Sequence, residues 1–177
     1  KKYGVVVDGD THAYPYFVEG KTEPVAFKVR HVPSKSFRVV GELKDAGLFG
    51  AQRFSNYDQK RIVVTEGELD ALSFNQAIPS WAVVSIPNGA QGAVKSIRKN
   101  IEFLNSYETV VIMFDQDEPG REAAAKVAKL FSPGKAAIAT LPLKDPNEML
   151  KEDQKALRNA IWEAKQYRPD GIVNLVE

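Results

Sequence analysis

The chain has 177 residues, of which 44% are hydrophobic and 27% charged, the balance of an ordinary folded domain or a small pair of them. Its net charge of +1 excludes a global basic footprint, so any nucleic-acid surface must be local; zero cysteines exclude disulfides, Cys-ligated zinc and thiol catalysis, and two histidines, His12 and His31, leave no His-rich metal site. No apolar run approaches the ~20 residues of a membrane span, and no signal peptide is visible, in a chain that begins without methionine.

Residues 1–56 read as an amino-terminal, locally basic subdomain. Extended runs at Gly4–Val7, Ala13–Val18, Val25–Arg30 and Phe37–Val40 alternate with turn residues such as Asp8-Gly9-Asp10 and Pro33-Ser34-Lys35. This pattern predicts a small antiparallel meander. Lys28, Arg30, Lys35, Arg38 and Lys44 stand against Glu42, and Phe27 and Phe37 interleave with them. Such cations either bind phosphates or protect a sheet edge. Lys28 and Arg30 share one strand face, which puts Phe27 on the other, packed inward. Leu48 to Tyr57 is a connection without periodicity.

From Lys60 the pattern becomes strand, helix, strand, helix. Arg61–Thr65 is a β-branched strand running into Glu66-Gly67-Glu68, where a helix begins with Leu69, Leu72 and Ala77 on its buried face. Gly67 is read as the residue that lets the chain bend there. Trp81–Ile86 is the next strand. Asn88-Gly89-Ala90 follows, a loop able to offer backbone N–H groups to a phosphate, or only a tight turn, before a helix near Ala93–Leu104. Thr109–Phe114 drives straight into Asp115-Gln116-Asp117, with a helix over Glu118–Phe131 and Pro119 in its first turn. Ala136–Leu141 is a strand and Gln154–Ala164 a last helix. Residues 57–166 are thus expected to form one α/β domain with a parallel sheet covered on both faces, and residues 167–177 the start of a linker.

The chemistry sits at strand ends. On a strand Asp115 and Asp117 project to the same side, and Glu66 occupies the same position on its own strand. In one parallel sheet all three converge on the carboxyl-end rim, where ligands bind. Hard carboxylates held together suit Mg²⁺ or Mn²⁺. Asp70, one turn beyond Glu66, could share the site. Asp145, after the fourth strand, is a further ligand, an orienting group or a plain N-cap. Arg121 is placed to clamp a phosphate or to pair with Glu118 or Glu122.

Glu66-Gly67 followed by Asp115-Gln116-Asp117 resembles the hallmark of the TOPRIM fold of primases, topoisomerases and some nucleases. Ile62–Asp70, Met113–Arg121 and Leu141–Asp145 are similar to the three TOPRIM motifs of the primase half of bacteriophage T7-type primase–helicases. Phe27-Lys28-Val29-Arg30 with Lys35-Ser36-Phe37-Arg38 is similar to that family's basic segment, Leu48-Phe49-Gly50 to its subdomain junction, and Pro169–Val173 to its entry into the linker before the helicase. The resemblance covers nearly the whole chain. It implies a DNA primase for DNA replication, making RNA primers on single-stranded DNA from NTPs by nucleotidyl transfer. Asp115 and Asp117 would bind the metal and Glu66 would be the general base or a further ligand. Lys28, Arg30, Lys35, Arg38, Gly89 and Arg121 would meet triphosphate and template.

The family's full-length members carry a Cys₄ zinc module that reads the template start site; the chain has no cysteine, and it lacks a P-loop, so a helicase would act from elsewhere, in cis or in trans. A DNA polymerase is a further expected partner, a membrane is not. The expected location is the cytoplasm of a phage-infected cell, or an organellar matrix for a eukaryotic relative. The competing readings are a TOPRIM nuclease or topoisomerase fragment, with water or tyrosine as nucleophile, and a catalytically silent DNA-binding module of a replicative helicase.

Overall fold

The computed structural model describes residues 2–54 and 60–169. The expected boundary between residues 56 and 57, and the linker beyond residue 169, lie outside them. Strands β1 (Val6–Asp8), β2 (Thr11–Tyr16), β3 (Ala26–His31) and β4 (Ser36–Gly41) form an antiparallel sheet in sequence order. Each lies within two residues of its predicted run, because turn residues mark the ends.

The second sheet has the order β6-β5-β7-β8-β9. Its members are β5 (Arg61–Thr65), β6 (Ala82–Ser85), β7 (Thr109–Met113), β8 (Ala136–Ile138) and β9 (Lys165–Gln166). The first four are parallel; β9 runs antiparallel to β8, so the sheet is mixed rather than all parallel. The last four residues of β5, and of β7, are buried, which accounts for their unbroken apolar reading. Helices α1 (Glu68–Ala77), α5 (Pro146–Glu152) and α6 (Gln154–Trp162) pack together; α2 (Gly89–Lys99) packs on α4 (Glu118–Ala128). The helix predicted near Ala93–Leu104 starts four residues earlier and breaks at Asn100, with α3 (Ile101–Asn105) beyond. On α1, Leu69 and Leu72 are only half-buried; Ala71, Phe74 and Ala77 face the core, and α5 covers a second side.

An aromatic cluster joins the two sheets. Phe49 packs against Tyr3, Tyr14 and Tyr16 with ring centroids 5.4, 5.6 and 5.9 Å away. Its backbone exchanges hydrogen bonds of 2.9 and 3.2 Å with Ser85, so the aperiodic connection docks beside β6. Tyr3 adds a hydrogen bond of 3.2 Å from its hydroxyl to the Val83 carbonyl. The inner face of the first sheet therefore carries Tyr14, Tyr16 and Ala26 together with Lys28 and Arg30. Phe27 does not pack inward as expected: it lies on the opposite, outer face, between Pro15 and the exposed Val40. Aromatic residues of β2 had already filled the inner face. No described helix is long and apolar enough to cross a membrane.

Candidate active-site cleft

A cleft of about 680 Å³ lies between the inner face of the first sheet and the carboxyl ends of β5, β6 and β7. One wall carries Glu66, Asp70, Asp115 and Asp145; the other carries Lys28, Arg30, Lys35 and Phe37. Lys144 and Lys151 stand on its rim.

Glu66 follows β5 directly and its carboxylate is clamped by backbone. The Ala90 N–H donates to Oε1 at 3.1 Å and the Asp115 N–H to Oε2 at 3.3 Å. The loop expected to offer amides to a phosphate thus gives the Ala90 amide to a resident carboxylate, beside Gly89 at φ 60°. Burial raises the Glu66 pKa above its ordinary value; the hydrogen bonds from the Asp115 and Ala90 N–H groups oppose that rise, and the nearby Asp117 charge adds to it. Asp115 is pushed up to about 7, first by burial and then by Glu66 and Asp145, with Lys144 opposing. The Lys144 ammonium is 3.8 Å from Asp115 Oδ2. Asp70, nearly buried, is raised well above the carboxylate range by burial and by Asp145 and Asp115; its Oδ1 accepts from the Asn147 N–H at 3.3 Å. Asp145 caps α5, accepting from the Glu148 N–H at 2.8 Å, and also lines the cleft.

Gly67 has φ −118° and ψ 157°, backbone that any residue adopts, so no special bend requires it. What it supplies is room: a Cβ there would stand 2.8 Å from Asp70 Oδ2. Gly120 has the same duty, since a Cβ would stand 2.2 Å from the Asp115 carbonyl oxygen.

Three expected site residues are placed elsewhere. β7 ends at Met113, so Asp115 and Asp117 leave the sheet in a turn instead of side by side on a strand. Asp117 becomes the N-cap of α4, accepting from the Gly120 N–H at 2.9 Å, and is not among the residues lining the cleft. Arg121 pairs with neither Glu118 nor Glu122; its guanidinium donates to the Gln116 carbonyl, beside a smaller hollow lined by Phe114, Ala139 and Thr140. Arg38 sits opposite Val29, on the face of the first sheet that looks away from the cleft. The alternation that sends Lys28 and Arg30 inward sends Arg38 outward.

The sequence reading missed Glu68. It is 1% exposed and accepts hydrogen bonds from Tyr16 Oη at 2.6 Å and from Lys28 Nζ at 2.9 Å. In the sequence it passes for an ordinary first-turn carboxylate of α1; its only signal is an acidic residue where the helix enters an apolar environment. Arg30 presents a buried Nε without a hydrogen-bond partner.

The donor set fits a divalent cation chemically: hard oxygens, mutually repelling, with one lysine at 3.8 Å. Among the described residues no three His, Asp or Glu side chains are arranged around one ion position.

A Toprim-like family matches residues 63–150. The chain is 38% identical over 152 residues to the DNA helicase/primase of Enterobacteria phage T3, covering 85% of this chain and 26% of that protein. It therefore spans about a quarter of that relative's length. It is similar to the primase fragment of the bacteriophage T7 primase-helicase protein, at 34% identity and TM-score 0.81, over 91% of this chain and 68% of that one. It is also similar to a primase domain solved with the bacteriophage T7 lagging-strand DNA polymerase and an RNA/DNA hybrid, at 35% identity and TM-score 0.82, over 94% and 86% of the two chains. The Aquifex aeolicus primase, at 17% identity and TM-score 0.66 over 92% and 44%, shares the fold alone.

Proposed function

The chain belongs to the TOPRIM primase domains of the T7-type phage primase–helicases, and from that premise we propose that it synthesises short RNA primers on single-stranded DNA. The observation that carries this reading is the cleft with Glu66, Asp70, Asp115 and Asp145 on one wall and, on the other, Arg30 and Lys35 beside the ion-paired Lys28. The 3′-hydroxyl of one ribonucleotide attacks the α-phosphorus of an incoming NTP, and pyrophosphate leaves. Glu66 accepts the hydroxyl proton: its carboxylate is aimed by two backbone N–H groups, and burial raises its proton affinity. Asp115, with Asp70 and Asp145 on the same wall, would supply oxygens to Mg²⁺ or Mn²⁺ once the side chains close around the ion, which would polarise phosphoryl oxygens and acidify the hydroxyl. Asp117, the N-cap of α4 outside the cleft, would reach it only by leaving that cap.

On the facing wall Lys35 and Arg30 bind triphosphate and template phosphates. The buried Arg30 Nε has no hydrogen-bond partner, so an acceptor there would satisfy it. Single-stranded template, NTPs and the growing RNA–DNA hybrid are the ligands this arrangement fits. A helicase is supported by the name and length of the phage T3 relative and a DNA polymerase by the T7 complex; a zinc module is implied by the family resemblance alone. Incubation with NTPs, a single-stranded template and Mg²⁺ or Mn²⁺ should yield dinucleotides and should extend a supplied short ribonucleotide more readily. Cleavage of the template without NTP incorporation would overturn the reading.

A further inference from the structure

The sequence reading gave Lys28 to phosphate, but the structure occupies it otherwise. Its ammonium is 2.9 Å from Glu68 Oε1 and 2.8 Å from the Pro87 carbonyl oxygen, and it sits 4.6 Å from the centre of the Phe37 ring. Glu68 is buried, and its Oε1 also accepts from the buried Tyr16 hydroxyl at 2.6 Å. An ion pair this enclosed adds little net stability, because desolvation offsets the attraction, but it fixes geometry.

The path continues beyond Lys28. Pro87 lies in the loop between β6 and α2, three residues before Ala90, whose N–H holds Glu66 Oε1. Glu66 Oε2 in turn takes the Asp115 N–H. We propose that Tyr16, Glu68 and Lys28 are positioning residues: they bind the first sheet to the loop at Pro87 and thereby aim Glu66 at the reacting hydroxyl. Lys28 acts through Glu68 and Pro87, not on phosphate.

The kinetic part of this proposal rests on the primer-synthesis reading; the structural part does not. Amide hydrogen exchange therefore comes first, on Tyr16→Phe, which keeps the ion pair, and on Glu68→Gln, which keeps the shape. Exchange at Ala90 should quicken about tenfold, the worth of one hydrogen bond to a charged group, while Val111 in β7 keeps its rate. Equal acceleration at both amides means that the network only adds bulk stability, and no change at either means that it positions nothing; each overturns the proposal.

For dinucleotide synthesis, Tyr16→Phe, Glu68→Gln and Lys28→Met should each lower kcat about tenfold with KM for NTP within about twofold. A Lys28→Met effect confined to KM, with Ala90 exchange unchanged, would return Lys28 to the phosphates. If the wild-type protein incorporates no NTP, the primase reading falls and the exchange result still decides the network.

Discussion

The two walls of the cleft are built differently. The acidic wall grows from strand ends of a sheet whose central members are buried, and the carboxylates of Glu66, Asp70 and Asp145 are held by main-chain N–H groups. The basic wall lies on a sheet whose edge strand β4 is exposed along its whole length, with Phe37 48% exposed. On the primase reading, the first wall would be pre-organised for a reaction whose charge develops at fixed points, and the second would present long cations to a nucleic-acid strand that slides. Substitutions on the first wall should stop chemistry, and those on the second should change affinity and its salt dependence.

The largest effect is expected on the acidic wall. Asp115→Ala and Glu66→Gln should each lower kcat for dinucleotide synthesis by about a thousandfold, with the fold intact by circular dichroism. Retention of more than about a tenth of the wild-type rate by either variant would remove that residue from the chemistry.

Gly120→Ala comes next. By helix propensity alone alanine should gain about 1 kcal/mol. The contact reverses the sign, because the new Cβ would stand 2.2 Å from the Asp115 carbonyl oxygen. We expect a loss of about 2 kcal/mol in chemical denaturation, with activity falling further since Asp115 must move. A more stable variant would show that the turn relaxes freely.

The same wall makes stability depend on pH. Asp115 has a folded pKa of about 7 against an ordinary value of 3.8. A carboxylate raised in this way is more protonated folded than unfolded, so folding stability falls as pH rises from about 4 through about 7. Glu66 and Asp70 are shifted in the same direction. Without metal, the melting temperature should decline across that window. Added Mg²⁺ or Mn²⁺ should restore it more at pH 8 than at pH 5, because protons compete with the ion for the same oxygens. A melting temperature that rises with pH would contradict the mutual repulsion described here.

The acidic wall was legible in the sequence because its strands are short β-branched runs that lead into carboxylates: Glu66 and Asp115 reach the cleft just beyond β5 and β7, and Asp70 reaches it from the first turn of α1. Asp117 shows the limit: period-two reasoning holds only while the strand lasts, and β7 ends before the pair. Helix α5 was readable and overlooked, since Asp145-Pro146 is an N-cap followed by proline at the first helical position. The early start of α2 was hidden by Gly89 and Gly92, poor helix formers; Gly92 makes room for Asn88. Strand β9, two residues long, has no pattern to read. Glu68 could not be paired with Tyr16 and Lys28 without knowing how the first sheet lies on α1, a contact between distant parts of the chain.

The smallest effect, and the sharpest test of the basic wall, is a pair of cations three residues apart. Lys35 sits in the turn between β3 and β4 at φ 55° and lines the cleft; Arg38 lies on β4 opposite Val29, on the outer face. Both are exposed, so neither should matter to folding by more than a few tenths of a kcal/mol. If the cleft binds phosphates, Lys35→Ala should lower template affinity and reduce the slope of log affinity against log salt by about one. Arg38→Ala should leave both within error, although it removes the same charge at nearly the same place in the sequence. Equal losses would mean that a diffuse positive field binds the template. A loss for Arg38→Ala alone would move the nucleic acid to the outer face, where Phe27 and Val40 line the sheet. Sheet alternation predicts neither outcome: the side of the sheet on which a charge stands, more than its presence in the segment, decides whether it meets the ligand.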